Sequence, residues 1–142
     1  MSRVLLLYVY LLAGCSSSKP QLTRQKANIM QEKDNTQISE KFRLLARQWS
    51  DHCQAVALSS KMSDYLNDRS YRELVELGPK AIPYIMERYR TDDAVPWEFL
   101  LDDITGLHMI RDRRDFSPPE VKKLWFEWWE KEQTKDAKAP RR

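Results

Sequence analysis

Three side chains able to do chemistry stand in a row at Asp51, His52 and Cys53. An acid, an imidazole and a thiol are the parts of a nucleophilic triad, in which the base takes the nucleophile's proton and the acid orients the base. Neighbouring side chains on a helix diverge by about 100°, so these three cannot converge on one reacting atom. Cys53 also falls on an apolar stripe, where a cysteine packs as a small hydrophobe. A metal centre needs three or four ligands at suitable spacing. The chain offers only His52 and His108 with Cys15 and Cys53, widely scattered, so neither a metal nor a cofactor is expected. The densest polar stretch is Asp102 and Asp103 within "DDITGLHMIRDRRD". One reading makes Asp102, Asp103 and His108 a small-ligand or enzymatic site. The other, which is favoured, makes the two acids the wet face of a helix. Arg111, Arg113 and Arg114 then alternate with Asp112 and Asp115 in a solvated loop. Those interleaved acids cancel the field that phosphates would need, and the formal charge of the 142 residues is only +3, so no nucleic-acid partner is expected. No catalytic constellation emerges, and the chain is read as a non-enzyme.

Helices must position these groups. Glycine occurs three times, and β-branched residues are sparse. Ile38, Phe42, Leu45, Trp49, Cys53 and Val56 recur at steps of three and four, which predicts a helix over 38–57. A short helical turn is expected at 63–66 and a helix at 70–77, ended by Gly78. Pro79 and Pro83 suit the opening turn of the next helix, whose apolar face is Ile82, Ile85, Met86 and Tyr89. Pro96 introduces a helix over 97–104, closed by Gly106. Ser117, Pro118 and Glu120 form a capping-box pattern that starts the last helix, expected to run to 133. The fold class is therefore all-α, with about five helices in a domain over 37–133 and a disordered basic tail over 134–142.

Ahead of that domain, Arg3 and the ten apolar residues 4–13 read as an export signal, too short to span a bilayer as a helix. Leu12, Ala13, Gly14 and Cys15 then follow the order aliphatic, small, small, cysteine. This stretch resembles the lipobox of bacterial lipoproteins. The resemblance implies cleavage after residues 1–14 and lipidation of Cys15 by a diacylglycerol with palmitate-type acyl chains, enough for stable anchoring. It also implies an envelope location, on the periplasmic face of an outer membrane where two membranes exist, since Ser16 follows the cysteine. Residues 15–36 are polar and read as a flexible tether. The alternative is a start at Met30, which makes a cytoplasmic protein of regulatory or antitoxin-like role.

Across residues 40–132, Ser59-Ser60, Tyr71, "LVELGPKAIPYIMERY", "PWEFLLDDITG" and "LWFEWW" resemble a family of small, uncharacterised bacterial HEAT-like helical proteins. That resemblance implies helix pairs joined at Gly78-Pro79 and carries no activity.

The last helix has more apolar surface than one packing face explains. Val121, Leu124, Trp125 and Trp128 share a stripe about 100° wide, and Phe126 and Trp129 widen it to about 200°. Either the helix is covered on two sides, with Trp49 as the second cover, or Phe126 and Trp129 form a partner-binding patch. The expected role is a membrane-anchored, non-catalytic protein-interaction module in the cell envelope.

Overall fold

The structure, a computed structural model, describes residues 19–109 and 117–138, with side chains placed from 21 to 109 and from 117 to 135. Six α-helices occur among the described residues: α1 (Lys19–Ala55), α2 (Met62–Leu66), α3 (Arg69–Glu76), α4 (Ile82–Thr91), α5 (Trp97–Thr105) and α6 (Pro118–Lys138). A 3-10 turn, Gly78–Ala81, precedes α4, and the described residues contain no strand. The all-α expectation holds. Cys15, residues 1–14, the loop arginines Arg111, Arg113 and Arg114, and residues 139–142 lie outside the described residues.

The chain divides into two compact units at residues 33 and 34. In the first, residues 19–33 are helical and every placed side chain is exposed, including Leu22, Ile29 and Met30. The chain is therefore already helical at Lys19, the first described residue, and not only from near Ile38, which corrects the expected helix start and the reading of 19–36 as a flexible tether. Placing the start at the first buried stripe marked where packing begins. Hydrogen bonding needs no burial, and Gln, Lys, Arg, Ala, Met and Glu are good helix formers.

In the second unit, Phe42, Leu45, Ala46, Trp49 and Cys53 form the buried stripe of α1. Around it lie Tyr71 and Leu74 of α3, Ile82, Ile85, Met86 and Tyr89 of α4, Trp97, Leu100 and Leu101 of α5, and Val121 and Trp125 of α6. Helix α5 packs against α3, α4, the 3-10 turn and α6. At its N-terminal end, Trp97 meets Trp49 edge-on at 5.2 Å and 90°, and Phe42 at 6.3 Å. Trp49 in turn lies 4.9 Å from Tyr71. Such pairs add about 0.5–1.5 kcal/mol each beyond their burial.

The element ends follow from local chemistry. Gly78 and Gly106 take φ of +64° and +67°, the left-handed region in which a side chain is strained. Ser117 donates from its N–H (2.6 Å) and its hydroxyl (2.7 Å) to Glu120 Oε2, and these bonds hold the carboxyl below its usual range. Helix α6 continues to Lys138, five residues past the expected end, so the disordered-tail reading is corrected for 134–138. There Thr134 donates to the Lys131 carbonyl, and Lys135 pairs with Glu132 at 2.5 Å. Local pairs of this kind extend a helix without any apolar residue to announce it.

Candidate functional site

Asp51, His52 and Cys53 fan apart as their helical spacing requires. Asp51 is exposed, while Cys53 is buried. Burial, followed by the negative charges of Asp68 and Asp92, pushes the Cys53 thiol up to about 11. It stays protonated at neutral pH and packs as a hydrophobe. His52 points elsewhere. Its Nε2 is 2.7 Å from the Asp64 carbonyl, which can only accept, so Nε2 carries the proton. Its Nδ1 faces Asp68 Oδ2 at 3.8 Å. One turn earlier, Trp49 Nε1 donates to the Tyr65 carbonyl at 2.8 Å. Trp49 and His52, three residues apart, thus hold the backbone of α2 against α1.

Asp68 is the acid His52 meets, and it also caps α3. Its Oδ1 accepts from the Ser70 N–H at 2.8 Å, the Tyr71 N–H at 3.4 Å and the Ser70 hydroxyl. Burial alone would raise this carboxyl. The Ser70 bonds and the His52 charge outweigh it and hold the group below its usual range. The order across this cluster is hydroxyl, carboxylate, imidazole. A nucleophilic triad of the serine–histidine–acid kind needs the imidazole in the middle, whereas the Ser70 hydroxyl meets the Asp68 carboxylate, so the arrangement is that of a clamp.

The second candidate, Asp102, Asp103 and His108, is spread over three environments. Asp103 accepts from the Tyr71 hydroxyl at 2.5 Å, tying α5 to α3. Tyr71 is buried, and burial together with Asp103 drives its phenol far upward, so it remains a donor. Asp102 Oδ1 accepts from the Met109 N–H at 3.0 Å and closes the turn after Gly106. His108 is exposed with φ of 47°. Among the described residues, no group of three His, Cys, Asp or Glu is placed to hold a metal ion.

The aromatic arc of α6 is half covered. Phe126 stacks on Tyr89 at 5.9 Å and 30°, and the Arg90 guanidinium lies 5.1 Å from its centroid. Its cover thus comes from α4, whereas the ring partners of Trp49 are Tyr71 and Trp97. Trp129 tilts against Trp128 at 6.2 Å, and Trp128 meets the buried Trp125 edge-on at 5.4 Å. Phe126, Trp128 and Trp129 are all half-buried against the core. Lys122 pins the start of α6 to the end of α4, donating to Asp93 at 2.6 Å and the Arg90 carbonyl at 3.3 Å.

The Trp49–His52 clamp was hidden from sequence reasoning because both acceptors are backbone carbonyls, which no residue type advertises. The clue available was position: His52 follows the buried Trp49 by three residues and sits at the edge of the α1 stripe.

Fold and site together define, among the described residues, a small helical domain in which Asp68, Asp102 and Asp103 make contacts within the chain and the aromatic strip of α6 is half covered. Comparison with protein-family models, curated proteins and solved structures finds no match to this chain. Among the described residues, no helix is long and apolar enough to cross a membrane.

Proposed function

We propose that the chain is an envelope lipoprotein, anchored through Cys15, whose helical domain engages a protein partner through Phe126 and Trp129 without catalysis. One observation carries the anchor: Leu12-Ala13-Gly14-Cys15 closes the apolar run 4–13 and precedes a polar segment. The partner role is supported by aromatic rings left half-covered on α6, since tryptophan and phenylalanine are enriched where proteins meet. The helix pair meeting at Gly78-Pro79 is read as HEAT-like on the same footing. Asp102, Asp103 and His52 already have partners within the domain, which favours this reading over an enzymatic one.

Intact-mass spectrometry of the native protein, with crosslinked neighbours, tests anchor and partner together. The expected species begins at Cys15 and is heavier than its peptide mass by a diacylglycerol and an acyl chain. An unmodified chain beginning at Met1, or one beginning at Met30 in the cytosol, overturns the anchor. Crosslinks to a single protein that avoid α6 overturn the partner surface.

A further inference from the structure

A second surface carries chemistry of its own. Helices α1 and α4 border two adjoining hollows, of about 400 and 490 Å³, which share Phe42, Arg43 and Arg88. The larger is lined by Phe42, Arg43, Leu44, Ala46, Arg47 and Arg88. Three arginines thus line it together with three apolar residues, and no Asp or Glu does. Arg88 is held at 3.4 Å by Asp92. Arg43 and Arg47 are exposed and make no ion pair or side-chain hydrogen bond among the described residues. They lie one turn apart, a like-charge spacing that costs a helix a few tenths of a kcal/mol when nothing offsets it. An anion between them turns that repulsion into two attractive contacts.

We propose that this hollow binds a phosphate ester carrying an apolar group. Planar guanidinium forks match phosphate oxygens, and a phosphate accepts forks from more than one side, which suits donors on two helices. The apolar part has Phe42 and Ala46 beneath it and the 59% exposed Leu44 beside it. Tyr84 stacks on Phe42 at 5.9 Å and keeps that ring in place. Glu87 lines only the smaller hollow, so the phosphate goes to the larger. The site stands whether or not Cys15 is lipidated. The same chemistry is offered by a soluble phosphate monoester and by a phospholipid headgroup.

Titration of the full chain at low salt with phenyl phosphate, with dihexanoylphosphatidylglycerol below its micelle concentration, and with inorganic phosphate distinguishes these. Binding of phenyl phosphate alone assigns a soluble ester, binding of the short lipid alone a headgroup, and binding of both the shared chemistry. In each case inorganic phosphate binds several-fold more weakly, because it leaves the apolar floor empty. Arg43→Gln with Arg47→Gln weakens binding at least tenfold while the thermal midpoint stays within a few degrees. Arg43→Lys with Arg47→Lys keeps the charge, loses the forks and weakens it several-fold. Lys123→Gln, an exposed change on α6, has no effect. Failure of both organic probes to bind, or equal binding by the Arg43→Gln, Arg47→Gln protein, overturns the proposal.

Discussion

Replacing Asp68 with alanine removes the N-cap of α3 and the carboxylate facing His52 in one step. The cap carries bonds to the Ser70 and Tyr71 N–H groups, and losing a cap of this type costs about 0.5–2 kcal/mol. The 3.8 Å contact with His52, about a quarter exposed on both sides, adds less than about 1 kcal/mol. A total near 1.5–2 kcal/mol at pH 7 is expected, which in a domain of this size lowers the thermal midpoint by about 6–16 °C. The sign of the pH dependence follows from the folded-state shift. The Asp68 carboxyl is held low, so its contribution is present above the unfolded carboxylate value and is lost as pH falls through the folded one. Urea denaturation of wild type and Asp68→Ala at pH 7 and at pH 2.5 measures both quantities. The stability difference should shrink at the acid end, because the unfolded carboxyl is then protonated and keeping the folded one ionised costs stability. A difference equal at the two pH values, or below about 0.3 kcal/mol at pH 7, refutes the account of Asp68 as an ionised cap.

Cys53 should resist thiol reagents in the folded protein at pH 8 and react once urea unfolds it. Between pH 9 and about 11 the unfolded chain ionises this thiol and the folded one does not, so stability should fall across that window. Gly106→Ala, at φ +67°, should cost about 1 kcal/mol by thermal denaturation although nothing lies within 4 Å of the added carbon. Tyr71→Phe should destabilise by about 0.5–1.5 kcal/mol, the worth of its bond to Asp103. Trp129→Ser should leave the fold intact and abolish partner capture. Phe126→Ser, which also removes the stack on Tyr89 and the Arg90 contact, should lower the thermal midpoint measurably as well.

Periodicity and end signals made most of the architecture readable. The steps of three and four from Phe42 to Cys53 coincide with the buried face of α1, and Gly78, Gly106 and Ser117 mark the element ends they suggested. What was not readable depended on groups distant in the chain or on the backbone. Asp103 serves Tyr71, 32 positions earlier, and no local pattern links them. The width of the α6 arc left open a second cover or a partner patch; Phe126 is covered by Tyr89 and Arg90 on α4, whereas the ring partners of Trp49 are Tyr71 and Trp97, because arc width does not say what lies opposite. The helical state of residues 19–37 escaped since apolar spacing is silent about an exposed helix.

Two buried indole N–H groups, those of Trp97 and Trp125, find no hydrogen-bond partner among the described residues. Each of those rings stands at a right angle to another indole, Trp49 for the first and Trp128 for the second. Chromophores held a few ångströms apart at fixed angles mix their excited states. The domain therefore carries its own optical gauge: near-ultraviolet circular dichroism should report the integrity of the Trp49–Trp97 and Trp125–Trp128 pairs without any added label.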